Sequence, residues 1–328
     1  MISKNTESLL AYRHLKGVGK KYLNALAIAA EKTGASVQDC FENGKLNTYS
    51  AENLELAFSK AKMQIDIAKS NGHYIISRLD SVYPDSLRAV DDAPPILFCS
   101  GNIDLLSSEI ITIIGTRSPT EHGVSIADRV TTWFSNQGWV VASGLAKGID
   151  TIAHESCLNA GGKTISILAH GLEKIYPAQN KNLAKRIEQQ DGLLITEYPY
   201  KSYIGKSNFV ERDRIQAALA KAVILVQSDL LGGSLHASRA ILDYERFLIV
   251  LGQSARDISN GESKIAANML LSYGSAADKA KLLKTAENQL DKLIVLPNKR
   301  FFSEVNERIK HVTFEPEVHD SGDNITLF

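Results

Sequence analysis

The residues best suited to chemistry sit in short glycine-containing runs, each following an apolar stretch. The first is Gly115-Thr116-Arg117-Ser118, after Ile110–Ile114. Glycine lets a backbone turn tightly and approach a ligand, and Arg117 suits an anion. The alternative is an ordinary turn with a surface arginine. The second is Ser143-Gly144-Leu145-Ala146-Lys147-Gly148-Ile149-Asp150. Here glycines, a hydroxyl and a lysine crowd between a strand and a helix, and free backbone N–H groups in such a loop form a phosphate cradle. Its spacing is neither GxxxxGK[ST] nor GxGxxG. The third holds Gly171 after His170, with Asn180 and Lys181 at a helix start. Arg212-Asp213-Arg214 follows, either two guanidiniums for bidentate phosphate contacts or an internal ion-pair cluster. Gly232-Gly233-Ser234-Leu235 repeats the order strand, diglycine, hydroxyl, helix. Ser234 is there a ligand contact or a helix cap worth about 1 kcal/mol.

Catalytic patterns are thin. There is no G-x-S-x-G elbow, no HExxH and no paired-cysteine motif. Asp150 and His154 share a helix face but lack a third metal ligand, so His154 reads as a packing histidine. Several anion cradles without a base favour binding over catalysis, with no catalytic residue, metal or cofactor expected. From Lys163 to Lys221 there are ten Lys/Arg and six Asp/Glu, a net of +4. Tyr176, Tyr198, Tyr200, Tyr203 and Phe209 are interleaved with them. Stacking aromatics with basic groups suit single-stranded nucleic acid. A core role is the competing reading, stronger for Phe209 than for Tyr200 and Tyr203.

These runs need a scaffold that brings strand ends together. Strands are expected at Ile110–Ile114, Trp139–Ser143, Thr164–Ala169, Leu193–Thr196, Ala222–Val226 and Phe247–Leu251, with helical stretches between. Runs such as AVILV are apolar throughout, as strands covered on both faces require. The fold class is therefore α/β, a doubly wound, mostly parallel sheet, whose ligands bind beyond the carboxyl ends of the strands. Residues 1–70 show apolar spacing of helical period and read as a small helical domain, broken at Gly34 and Phe41–Asn47. Residues 71–109 read as a connector with short strands at Tyr74–Ser77 and Ile96–Cys99. Residues 110–275 form the sheet domain and 276–328 a C-terminal extension, with one more short element in Leu293–Phe302. Its last stretch, 311–328, carries four acidic residues and no Lys or Arg, and is expected to be a poorly ordered tail.

The chain has 328 residues, 44% hydrophobic and 23% charged, with Lys+Arg balancing Asp+Glu at 37 each. Bulk charge therefore gives no argument for a polyanion, and any such site must be a local patch. There is no apolar run of about 18 residues, the length of a membrane span, and the start lacks a signal-peptide core. Three widely spaced cysteines, Cys40, Cys99 and Cys157, argue against a disulfide framework and point to the reducing cytoplasm.

Taken in order, the motifs resemble the bacterial DNA-processing protein A (DprA/Smf) family. The resemblance covers about residues 74–275. It starts at Tyr83-Pro84, Ala93-Pro94-Pro95-Ile96-Leu97-Phe98 and Gly101-Asn102. It runs through Gly115-Thr116-Arg117, the Ser143–Asp150 stretch, Gly161-Gly162-Lys163-Thr164, Gly171-Leu172 and Ile175-Tyr176-Pro177. It ends with Glu197-Tyr198-Pro199, Arg212-Asp213-Arg214-Ile215, Gly233-Ser234-Leu235 and Gly252. The resemblance implies a Rossmann-like domain and a non-enzymatic protein that binds single-stranded DNA. Such a protein protects incoming DNA and loads the RecA recombinase in natural transformation and recombination, generally as a homodimer. Carried onto this chain, the DNA pocket would comprise Gly115, Arg117, Ser143, Gly144, Lys147, Gly148, Gly171, Lys181, Arg212, Asp213, Arg214, Gly233 and Ser234. Arg117→Ala and Arg212→Ala would then weaken DNA binding without loss of thermal stability. Leu15-Lys16-Gly17-Val18-Gly19-Lys20 resembles a helix-hairpin-helix turn. The chain departs from the family pattern at Asp213, where Asn is usual, and at Val210, Ala218 and His122. The alternatives are a nucleotide-binding sensor and a nucleoside-monophosphate-hydrolysing enzyme of the same Rossmann-like superfamily.

Overall fold

A computed structural model describes residues 2–44 and 48–314. Positions 45–47 of the expected breaker and residues 315–328 of the acidic tail lie outside the described residues. Four helices open the chain: α1 (Lys4–Tyr12), α2 (Lys20–Thr33), α3 (Val37–Gly44) and α4 (Ala51–Ser70). Ser3 and Ser50 cap α1 and α4, each accepting the N–H three residues on at 3.2 Å. Gly34 ends α2 in the left-handed region, φ +69°, where glycine carries no Cβ penalty. The helices bury Leu9, Leu10, Leu23, Leu26 and Phe41 together.

The rest of the described chain is a nine-stranded sheet with helices on both faces. The strands are β1 (Tyr74–Ser77), β2 (Ile96–Gly101), β3 (Ile110–Ile114), β4 (Val140–Ser143), β5 (Thr164–Ile167), β6 (Leu193–Thr196), β7 (Ala222–Leu225), β8 (Phe247–Leu251) and β9 (Leu293–Leu296). Their order is β1-β2-β6-β5-β4-β3-β7-β8-β9. Pairing is parallel from β6 to β9 and antiparallel at β1–β2 and β2–β6. The fold is thus the expected doubly wound, mostly parallel sheet behind a helical region. The sheet draws on both flanking segments: residues 71–109 supply β1 and β2, and β9 comes from beyond residue 276. The helices that follow the connector are α5 (Asp85–Arg88), α6 (Glu121–Asn136), α7 (Ile149–Asn159), α8 (Lys181–Gln189), α9 (Lys206–Leu219) and α10 (Leu235–Asp243). Then come α11 (Ala255–Ser259), α12 (Ala266–Tyr273), α13 (Ala276–Leu283) and α14 (Phe302–Lys310).

One face of the sheet buries Ala127, Val130 and Phe134 of α6, Ala153 and Cys157 of α7, and Val305 and Ile309 of α14. The other buries Ile215 and Leu219 of α9, and Ile241 and Leu242 of α10. Each central strand is buried along its whole length, which explains the uninterrupted apolar runs. The N-terminal helices share a core with Ile75, Ile96, Phe98, Leu168 and Leu194. Lys20, at the start of α2, adds ion pairs to Glu197 at 3.2 Å and to Glu211. Because β4, β5 and β6 lie to one side of β3 and β7, β8 and β9 to the other, chain order reverses between β3 and β7. Such a reversal leaves a crevice at the carboxyl ends.

Candidate functional site

A cleft of about 600 Å³ opens at that reversal. Its walls come from the turns after β3, β4 and β7 and from the first turns of α9 and α10. Three exposed cations stand around it: Arg117 after β3, Lys206 at the start of α9, and Lys147 in a smaller adjoining hollow that shares Arg117, Tyr176 and Phe209. None of the three makes an ion pair or hydrogen bond among the described residues. Tyr176, 50% exposed, stands with its ring 5.4 Å from that of Phe209. Its N–H donates to His170 Nε2 at 3.2 Å, which fixes the turn that carries it.

Under these residues the β4–α7 loop is tightly braced. Gly148 has φ +76°, and a Cβ there would meet the Arg117 carbonyl carbon at 2.6 Å. The loop after β3 therefore packs backbone to backbone on the loop after β4, which sets where Arg117 emerges. Gly115 is packed as closely: a Cβ would meet Ile149 Cγ1 at 2.7 Å. Ser143 is fully buried and donates to the Ile113 carbonyl at 2.7 Å, so its hydroxyl belongs to the sheet. Two amides of the expected phosphate cradle are taken up within the chain. Asp150 Oδ2 accepts the N–H groups of Gly144 and Ala146, both at 3.2 Å, and occupies from within the place expected for a ligand anion. Burial pushes the Asp150 carboxyl above its usual range, while the Arg212 charge and these hydrogen bonds pull it back.

Arg212, Asp213 and Arg214 diverge, because successive helical residues point about 100° apart. Arg212 is 4% exposed and lies beneath the cleft, where Nη1 donates to the Ile167 carbonyl at 2.8 Å and Nε faces Asp213 Oδ1 at 3.3 Å. Asp213 lines the cleft and accepts from Gln216 Nε2 at 2.7 Å. Its pKa is pushed up to about 7, chiefly by burial and further by Asp150, against the pull of Arg212 and Arg117. Arg214 is turned away to Glu197, 2.9 Å, and Asp92, 3.7 Å, and does not line the cleft.

Gly233 and Ser234 are at the cleft wall. Ser234 makes no side-chain cap; its hydroxyl donates to Ser228 Oγ at 2.9 Å. Lys181 is exposed but lines neither hollow, and Gly171 packs on the Pro199 carbonyl instead. Asn180 is buried and donates to the Leu145 carbonyl at 2.8 Å, bracing the β4 loop. His154 is buried against Thr164 Oγ1 at 2.7 Å, with its pKa driven down to about 3 by burial. The described residues hold no group of three or more potential metal ligands. Of the interleaved aromatics, Tyr198 and Tyr200 are buried, Tyr200 against His73 Nδ1 at 2.9 Å, while Tyr203 is 88% exposed. Lys206, Gln216, Ser228 and His236 line the cleft without having been singled out. Lys206 alone left a signal, as a cation beginning a helix.

The model of the DNA recombination-mediator protein A family matches residues 74–293. This chain belongs to that family. Its DprA relatives include the Streptococcus pneumoniae protein, 35% identical over 209 residues, which are 62% of this chain and 73% of that one. The Smf protein of Synechocystis is 36% identical over 179 residues, 53% of this chain. The matched part spans 45% of that relative's length and 66% of the Bacillus subtilis DprA. Among solved structures, S. pneumoniae DprA superposes with a TM-score of 0.62 at 26% identity, covering 83% of this chain and 99% of that one. DprA from Helicobacter pylori, described for its single-stranded-DNA binding mode, gives 0.58 at 27% identity, covering 72% and 96%. No helix among the described residues is long and apolar enough to cross a membrane.

Proposed function

We propose that this protein binds single-stranded DNA in the cleft between β3 and β7. The observation that carries the reading is the set of three exposed, unpaired cations, Arg117, Lys147 and Lys206, around a hollow bearing the Tyr176 and Phe209 rings. Cations held in no ion pair are available to phosphates, and a half-exposed tyrosine offers a face to a base. Kinship with a protein described for single-strand binding supports the same reading. Asp213 fits this role in its neutral form. With a pKa near 7 it carries an O–H donor over part of the physiological range, which restores a donor where the family usually places Asn. The three cleft carboxylates, Asp150, Asp213 and Asp229, already accept hydrogen bonds from their own chain, which suits binding over general-base chemistry. Handover of the strand to a RecA-type recombinase, a homodimeric state and a cytoplasmic location belong to the same proposal.

The test is fluorescence anisotropy of a labelled single-stranded oligonucleotide, with duplex competitor, over a salt series. Binding should fall steeply with salt and resist duplex. Absence of binding at low salt would reject the proposal and turn attention to free nucleotides.

A further inference from the structure

A second cleft opens on the same carboxyl edge of the sheet, beyond β8 and β9, and encloses about 440 Å³. Its floor is apolar, with Leu251 and Leu296 at the strand ends, and its rim carries His122 and Arg129 of α6 and Lys299 and Arg300 of the turn after β9. No acidic side chain lines it, and these four basic residues make no ion pair among the described residues. The aromatic ring that lines it, Phe302, is buried in the floor, 6% exposed. A rim of unpaired cations repeats the electrostatic character of the first cleft.

The two clefts lie side by side, separated by a wall in which Gln227 is fully buried. Ser228 lines the first, and its neighbour Gln227 donates through Nε2 to Gln253 Oε1 at 2.9 Å; Gln253 lines the second. They open over neighbouring strands, each step about 4.8 Å. Lys299 and Arg300 lie beyond residue 293, where the family match ends.

We propose that the second cleft is a further phosphate-binding subsite for the same strand, which runs along the carboxyl edge from the β4 loop to β9. The proposal rests on the single-strand reading of the first cleft. A polyanion crossing from the first cleft over the wall between them meets cations with no competing carboxylate among them, and this adjacency favours a nucleic acid over an acidic protein segment.

The experiment uses the full chain, unlabelled thymidine oligonucleotides of graded length as competitors, and the variants Arg129→Glu and Lys299→Glu/Arg300→Glu. All three positions are exposed, and melting curves establish that the variants are folded. Short oligonucleotides that fill only the first cleft should bind within twofold of wild type. Long ones should lose at least tenfold in the double variant, with the salt slope flattened by roughly 1.4 for two lost phosphate contacts at about 0.7 each. Equal behaviour of short and long oligonucleotides in the variants, with wild-type binding intact, overturns the second subsite alone. So does a double variant that loses affinity for poly-glutamate while keeping that for long DNA, since the cleft would then serve an acidic protein. Failure of wild type to bind any length overturns the single-strand reading itself.

Discussion

The guanidinium of Arg212 lies in the space that a side chain at Gly144 would occupy, so the loop after β4 and the helix α9 are fitted to each other through the absence of one Cβ. Arg212 is held there by the Ile167 carbonyl at 2.8 Å and cannot withdraw without giving up a buried hydrogen bond. Gly144→Ala should therefore displace the guanidinium. Overpacking of this kind typically costs about 1–3 kcal/mol, and a fall of several degrees in Tm by calorimetry is expected. An unchanged Tm would mean that Arg212 has another place to go.

Arg117 and Arg212 should separate under mutation, although the sequence alone suggests that both act on DNA alone. Arg117 is exposed with no ion pair among the described residues, so Arg117→Ala should leave Tm unchanged, weaken oligonucleotide binding and reduce the salt slope by about 0.7. Arg212 is buried between two carboxylates that lean on its charge. Arg212→Ala strands them, and losing one partner of a buried pair costs about 3–5 kcal/mol. Chemical denaturation of the two variants beside anisotropy checks both halves; a destabilised Arg117→Ala would contradict the assignment.

The strands were readable because burial on both faces writes continuous apolar runs, and β3, β6 and β8 lie where those runs predict. The site was readable only in part. A glycine-rich loop looks the same whether its amides face a ligand or the chain's own Asp150, and only the fold decides between them. Arg212, Asp213 and Arg214 read as one cluster in a line of text, yet helical geometry sends them to the sheet, the cleft and the Glu197 ion pair. Tyr198 and Tyr200 sit among basic residues in the sequence but lie under the N-terminal helices, Tyr200 held by Gln64 of α4. Spacing carries no sign of that docking.

Binding should depend on pH through Asp213. Its pKa of about 7 means that lowering pH from 8 to 6 removes a negative charge from the cleft, so affinity for single strands should rise. His236, in the same cleft, is held below its usual value by burial and the Arg239 charge, and so charges mainly at lower pH. Asp213→Asn should bind at pH 8 about as wild type does at pH 6, with little change between. Stability follows the same group. The folded pKa lies above the unfolded value of about 3.9, so the folded state holds a proton that the unfolded chain releases. The burial cost is absent below pH 4 and grows as pH rises through 7. Asp213→Asn should flatten that part of the stability profile. An equal pH response in wild type and variant would assign it elsewhere.

The docking of the helical region onto the sheet should hinge on Glu197. Its side chain is 1% exposed and pairs with Lys20 of α2 at 3.2 Å and Arg214 of α9 at 2.9 Å. Arg13 of the helical region also faces it, with its pKa drawn up by the Glu197 charge and down, more strongly, by burial. Glu197→Gln removes the one negative charge these groups share. Breaking a buried pair costs about 3–5 kcal/mol, and the lower end is expected because Lys20 is 37% exposed and solvent screens its share. The loss should be local. Amide exchange should accelerate across α1 and α2, while β3, β7 and the binding of oligonucleotides by Arg117 and Lys147 are kept. Uniform acceleration over the whole sheet would show instead that the two regions unfold as one unit.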